Sequence, residues 1–253
     1  MNKKIRVFAI SHSCVVQAYR QRHNAVNARE EVEVTLLTPK RWTQFNRLCE
    51  APPLQDDEHF ELIREQPYFD WIPDHGLKNA CHYYPNLSTL LAKHRPHILE
   101  LWAEPYFALA WHASRSFRAI NPNGPIMFFS AQNVHKWRPP PWSSFEKWVF
   151  GNANFCMAMH EEVQSVLREK GWSGSTEVVP MGVHLARYDQ VKPLHSLPKL
   201  DKPVVGFLGK MDSQKGILDL VSAVKQLQGK ATFTALFVGN GPYFARVESE
   251  LKK

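Results

Sequence analysis

Val204-Val205-Gly206-Phe207-Leu208-Gly209-Lys210-Met211-Asp212-Ser213-Gln214-Lys215-Gly216 is the stretch on which the reading of this chain turns. An apolar run of strand length meets a glycine and a lysine, then a second lysine and glycine ahead of a segment with helical period. The spacing predicts a strand, a turn and a helix N-terminus. Gly209 lets backbone approach a ligand closely. Lys210 and Lys215 bring two ammonium groups to the strand's carboxyl end, and the helix start at Gly216 adds N–H donors and partial positive charge. Ligands of open α/β sheets bind at that end of the strands, and a diphosphate fits the charge. A solvated loop whose lysines face water is the competing reading.

Leu236-Phe237-Val238-Gly239-Asn240-Gly241-Pro242 repeats the arrangement, a buried strand entering a helix through a glycine turn and proline. Gly239, Asn240 and Gly241 offer a backbone wall beside a phosphate or sugar; a turn that merely needs positive φ explains them as well. No G-x-G-x-x-G follows the first strand, and there is no P-loop signature.

Outward from these turns, Val204–Leu208 and Thr232–Val238 read as strands, Lys215–Gln228 and Pro242–Leu251 as helices. Segment 185–203, with Pro193, Pro198 and Pro203, reads as a linker. Before it, strands at Ile5–Ile10, Val32–Thr38, His97–Trp102, Ile126–Ser130, Phe155–Met159 and Thr176–Val179 alternate with helices at Val15–Ala28, Leu87–His94, Pro105–Ala119, Trp142–Phe150 and His160–Lys170. That alternation predicts a doubly wound, parallel, Rossmann-like α/β domain over 1–184, then an incomplete second one over 204–253. Residues 39–86 break the pattern and read as an irregular excursion, with Asp56–Glu65 a solvated acidic face.

With 253 residues, 44% apolar and 22% charged, the composition is globular and excludes collagen, coiled coil and wholesale disorder. No apolar run nears the roughly 20 residues of a membrane span. Val7–Ile10 is too short for a signal-peptide core, and Cys14, Cys49, Cys81 and Cys156 stand far apart, so a reduced, cytoplasmic protein is expected. Net charge is +7; residues 1–183 carry 20 basic and 18 acidic side chains, residues 184–253 carry 11 and 6. An excess confined to the shorter region suits one compact polyanion and argues against nucleic acid, while peripheral contact with an anionic membrane stays open.

Taken together, the two glycine turns and Val178-Val179-Pro180-Met181-Gly182-Val183-His184, followed by Tyr188, resemble family 4 retaining glycosyltransferases of the GT-B fold. Met159-His160-Glu161-Glu162-Val163 is similar to that family's serine-glutamate helix start. The resemblance implies transfer of a sugar from a nucleotide-diphosphate sugar, as co-substrate, to a glycan, lipid or small-molecule acceptor with retention at the anomeric carbon. It implies that Lys210 and Lys215 hold the diphosphate and stabilise the leaving group, with no cofactor and no obligatory divalent metal. Asn133 and His135, after Ile126–Ser130, take the place of a His-containing loop facing the cleft, where they would bind acceptor hydroxyls and His135 would steer a proton; loop polar groups that cap the next helix are the competing reading.

The pattern departs from the family in three places. Ser11-His12-Ser13-Cys14 stands where paired glycines are usual, and His184 where aspartate is usual. The later half of the nucleotide-binding domain, with its two glutamates, is absent. The expectation is therefore a chain truncated within the second domain and inactive as a fragment, or, alternatively, a non-catalytic acceptor-binding subunit. Ser11, His12, Ser13 and Glu104 are candidates for an acceptor or donor-phosphate loop; Glu104 also suits a helix-start carboxylate. Trp137, Trp142 and Trp148 around Pro139–Pro141 fit a sugar face, a lipid acceptor or core packing.

Overall fold

A computed structural model describes residues 4–44, 47–73, 75–183, 185, 189, 200 and 203–252. His184, Tyr188 and most of the segment read as a linker lie outside the described residues. The chain divides into two compact units, Met1–Leu185 and Ala186–Lys253.

The first unit is built on a seven-stranded sheet of β1 (Ile5–Ile10), β2 (Val32–Pro39), β5 (Glu61–Glu65), β6 (Ile98–Leu101), β7 (Ile126–Ser130), β8 (Phe155–Ala158) and β9 (Ser175–Val178), in the order β5-β2-β1-β6-β7-β8-β9. Every pairing in it is parallel, so both faces need cover. The helices are α1 (Gln21–Asn27), α2 (His75–Cys81), α3 (Leu87–His94), α4 (Ala108–Ile120), α5 (Trp142–Asn152) and α6 (Glu161–Glu169). Alternation along β1 sends Phe8 and Ile10 into the larger core, with Leu99, Leu101, Phe117 and Phe128. Ala9 enters the core on the opposite face, with Val34, Leu36 and Phe60. On α4, Leu109, Ala110, Ala113 and Phe117 are buried, the spacing of one apolar helix face. The chain moves outward from β1 to β2 and β5, then returns to place β6 on the other flank of β1. The sheet's topological switch point therefore lies between β1 and β6.

Two sequence expectations need correction. Val15–Ala28 is not one helix: 3₁₀ turns at His12–Val15 and Gln17–Arg20 precede α1. The cause is Arg20, fully buried, whose guanidinium donates to the carbonyls of Cys14 and Pro52 and pairs with Glu58 at 3.5 Å. Satisfying that charge fixes the backbone around it. The excursion over 39–86 is also more ordered than expected. β3 (Arg41–Gln44) and β4 (Arg47–Glu50) pair antiparallel, and β5 joins the main sheet beside β2. Asp56–Glu65 is a solvated acidic face only in part: Asp56, Asp57 and Glu61 are exposed, but Glu58 is buried and Glu61–Glu65 is a strand. Charged residues on an edge strand hid its period, as edges commonly carry charge.

The second unit holds β10 (Val204–Leu208), α7 (Ile217–Leu227), β11 (Thr234–Val238) and α8 (Phe244–Leu251). β10 and β11 pair parallel, Val204 opposite Thr234 and Leu208 opposite Val238. Met211, Ile217, Val221 and Val247 form its core. Among the described residues no helix is long and apolar enough to cross a membrane.

Candidate functional site

Each unit ends its strands in a set of loops, and the two sets are built differently. In the second unit the turns after β10 and β11 lie against one another. Gly209 N–H donates to the Val238 carbonyl at 3.0 Å, and Met211 N–H to the Asn240 carbonyl at 2.9 Å. The backbones approach so closely that a Cβ on Gly239 would stand 1.9 Å from the Gly209 carbonyl oxygen, and one on Gly241 2.5 Å from that of Met211. Only glycine fits there. Asp212 Oδ1 accepts from Gln214 N–H at 3.1 Å and closes the turn, which runs through a 3₁₀ segment, Ser213–Lys215, to Gly216 at the N-cap of α7.

The two lysines fare differently. Lys210 Nζ pairs with Asp212 Oδ2 at 3.1 Å, whereas Lys215 is exposed and has no ion-pair partner among the described residues. A bare backbone wall, one available ammonium group and a helix N-terminus make a surface with the chemistry of an anion site.

In the first unit the switch point is finished by side chains. Ser11 follows β1, is fully buried, and lies 3.0 Å from Ser13 through their hydroxyl oxygens. Arg22 Nη2 donates to Ser11 Oγ at 3.0 Å and to Cys14 Sγ at 3.3 Å, and its guanidinium sits 3.5 Å over the Trp102 ring. Trp102 Nε1 donates in turn to Glu100 Oε1 at 2.7 Å. Burial pushes the Glu100 carboxyl up, partly offset by that bond and by Arg22. His12 turns inward, its ring 5.4 Å from His82 and 5.5 Å from Trp42. Lys78, also buried, holds its ammonium 4.8 Å over the Trp42 ring. Burial pushes the imidazole of His12 down to about 3 and that of His82 to about 4, and His82, Arg22 and Lys78 add to the effect at His12.

Glu104 is committed to the protein. Its carboxylate accepts from Ser130 Oγ (2.7 Å), Ala131 N–H (2.8 Å) and Gln132 Nε2 (3.1 Å). Burial raises its pKa while those three bonds hold it down. It is neither a free acceptor-facing group nor a helix-start carboxylate, but the clamp that shapes the loop after β7. On that loop Asn133 and His135 are exposed, and His135 Nδ1 lies 3.7 Å from Glu169.

No protein-family model matches the chain. A stretch of 103 residues, 38% of the chain, is 28% identical to a protein of Bacillus subtilis (strain 168) named as the teichuronic acid biosynthesis glycosyltransferase TuaC. That stretch spans 25% of TuaC's own length. Among solved structures, a UDP-N-acetylglucosamine 2-epimerase matches 99% of the chain and 67% of its own, at TM-score 0.58 and 12% identity. The Escherichia coli trehalose-6-phosphate structure bound with UDP-2-fluoro glucose matches 98% and 68%, at TM-score 0.54 and 12% identity. The chain is structurally similar to GT-B glycosyltransferases and UDP-sugar epimerases.

Within that fold, the structure brings Gly209, Lys210, Gly239, Asn240 and Gly241 together in one pair of turns and leads them into Lys215 and Gly216. It gathers Ser11, Ser13 and Glu104 at the carboxyl edge of the first sheet, with Asn133 and His135 on the adjacent loop, and turns His12 into an aromatic cluster. Sequence reasoning missed Arg22, whose guanidinium bonds Ser11 and Cys14 in the loop after β1. The available signal was the Arg20-Gln21-Arg22 triplet shortly after the first strand. Trp142 and Trp148 are partly buried against the core, whereas Trp137 is 81% exposed. Among the described residues no group of three or more His, Cys, Asp or Glu side chains could hold a metal ion.

Proposed function

We propose that the chain serves a GT-B glycosyltransferase that moves a sugar from a nucleotide-diphosphate donor to an acceptor, with retention at the anomeric carbon. The observation that carries this reading is the contact of the two glycine turns, which leaves bare backbone at the carboxyl ends of parallel strands and runs on to exposed Lys215 at the entry to α7. The TuaC likeness supports the reaction class, and the UDP-2-fluoro glucose of the E. coli structure supports the donor class.

On this reading the turns seat the diphosphate. Lys215, the helix N-terminus of α7 and the Lys210–Asp212 pair set the field in which the bond from the anomeric carbon to the diphosphate breaks. In the same reading an acceptor hydroxyl replaces the diphosphate at the anomeric carbon and its proton passes to the departing phosphate; on the first unit, His135, 3.7 Å from Glu169, is the group assigned to handle an acceptor hydroxyl. Charge on the departing nucleotide is met by the protein's own cations, so no divalent metal is required.

Titration calorimetry of UDP and of uridine tests the site. Replacing Lys215 by alanine removes a charge-assisted phosphate contact worth about 1.5–3 kcal/mol, which is a roughly 10- to 100-fold loss for UDP. Uridine affinity is expected to stay unchanged, as is UDP affinity after EDTA treatment. Equal losses for UDP and uridine would overturn the diphosphate assignment. Donor binding without sugar transfer to any acceptor would assign the chain a binding role instead.

A further inference from the structure

The first unit holds an apolar pocket of about 460 Å³ that the proposed donor chemistry leaves unused. Its wall, almost entirely carbon, comes from Phe69, Cys81, Ala108, Trp111, Trp142 and Phe145 among others. That volume lies within the range of small-molecule sites, and such a lining suits hydrocarbon. Ala108 and Trp111 belong to the first turn of α4, and Trp142 and Phe145 to the first turn of α5. Those helices follow β6 and β7, so the pocket opens at the same carboxyl edge that carries Glu104 and the loop with Asn133 and His135.

Its walls are organised. Trp111 stacks on Phe145 with ring centroids 4.9 Å apart, and Phe69 lies 6.0 Å from both Tyr83 and Trp71. Phe69 is one of two non-glycine residues with positive φ among those described, at 65°, and Trp71 beside it is 73% exposed. A non-glycine residue persists in that conformation only where its surroundings demand it.

The stretch 105–145, which supplies Ala108, Trp111, Trp142 and Phe145, carries charge of one sign, while Asp70 and Glu146 stand next to the lining residues Phe69 and Phe145. Between Glu104 and Glu146 the sequence has no Asp or Glu and four Lys or Arg. Of these, Arg118 is spent on the carbonyls of Gly124 and Asn152. Arg115 remains exposed with its guanidinium 5.7 Å from the Trp111 ring centroid, Arg138 lies 3.5 Å over the Tyr106 ring, and Lys136 is exposed. Trp137, strongly exposed, stands between Lys136 and Arg138 in the sequence, an aromatic and cationic composition that suits a surface meeting amphiphiles.

We propose that this pocket receives the hydrocarbon tail of an amphiphilic acceptor whose anionic head is held by the surrounding cations at the carboxyl edge of the sheet. The inference rests on the glycosyl-transfer reading above and narrows its acceptor to a single-tailed, anionic-headed class.

Cys81 reports on the pocket directly. Cys14 and Cys156 are buried, while Cys49, on β4 and outside the pocket, is half-buried like Cys81 and serves as the control. The full chain is alkylated with N-ethylmaleimide and the rate at each cysteine read by mass spectrometry, with and without dodecyl phosphate below its micellar concentration. At about ten times its Kd the amphiphile slows Cys81 by roughly tenfold, by mass action, and leaves Cys49 unchanged. Inorganic phosphate does nothing, and Ala108→Trp, which fills the pocket, abolishes the protection. Unchanged Cys81 rates, equal slowing at Cys49, or protection by inorganic phosphate would overturn the proposal. So would vesicles of phosphatidylglycerol that sediment the protein while Cys81 stays unprotected, because that is surface adsorption without a captured tail. The wild-type rates decide the matter even if Ala108→Trp fails to fold. UDP titration of the same sample reads the donor site independently, so loss of one result leaves the other standing.

Discussion

The carboxyl edges of the two units are finished by opposite means. In Met1–Leu185 the edge is made of side chains already bonded to one another: Arg22 on Ser11 and Trp102, Glu104 on Ser130, Ala131 and Gln132. In Ala186–Lys253 it is made of backbone, with glycines packed against carbonyl oxygens and one lysine left unpaired among the described residues. Burial differs in the same sense. β7 alternates buried and half-buried residues over a large core, whereas β10 is exposed along most of its length and Leu208 is 84% exposed. The lesson concerns sensitivity. The first edge responds to lost side-chain atoms, the second to added ones.

The largest effect tests the first half of that contrast. Phe128 is fully buried, with Trp172 edge-on at 5.0 Å and Phe150 at 6.1 Å. Phe128→Ala should cost about 3–5 kcal/mol, read from the denaturant midpoint. A loss below about 1 kcal/mol would mean the core is far looser than its burial indicates.

Gly239→Ala addresses the second half. Its new methyl group would meet the Gly209 carbonyl at 1.9 Å, while one on Gly206 would meet nothing within 4 Å. Gly239→Ala should destabilise the paired turns by about 1–3 kcal/mol and abolish UDP binding. Gly206→Ala should stay within about 1 kcal/mol of the parent. If the two variants bind UDP alike, close backbone approach is not what builds the site.

The smallest effect is spread over pH. The folded pKa values of His12 and His82 are depressed to about 3 and 4 by burial, and His23 is pushed well down by burial with Arg22 adding to it. Unfolding below the unfolded value near 6.5 therefore takes up protons, and the stability these groups contribute, present above that value, is lost as pH falls toward 4. Glu100 and Glu104 oppose the trend, because burial raises both carboxyls and the folded state then holds protons the unfolded state releases. His112 is lowered by burial as well, so four imidazoles against two carboxyls leave a net proton uptake on unfolding, and stability is expected to rise with pH between roughly pH 4 and 6. Unfolding free energies that are flat or fall with rising pH in that window would contradict the buried neutral histidines.

Much of this was legible in the sequence because the signals were local. Apolar runs such as Ile126–Ser130 lie in the middle of a parallel sheet and need no partner to be recognised, and Val163, Val166 and Leu167 mark the buried face of α6 at helical spacing. The glycine turns were legible for the same reason, since a backbone contact leaves a mark in composition. What could not be read depends on pairs distant in the chain. Arg20 finds Glu58 across 38 residues and breaks the first helix. Glu61–Glu65 becomes a strand only because β2 is there to pair with. Glu104 reads as an acceptor-facing acid or a helix-start carboxylate until Ser130 and Gln132 are brought to it.

One chain of contacts has a practical consequence for anyone redesigning acceptor choice. Gln132 joins Glu104 to Glu146 and to the ammonium of Lys170, which itself lies 2.6 Å from Glu146. Four separate segments are thus riveted together beneath the exposed stretch from Asn133 to Trp137. A graft that imports a foreign loop there must carry Glu104, Gln132, Glu146 and Lys170 with it. A library that keeps Asn133, His135 and Lys136 can vary the remaining exposed positions above that anchor.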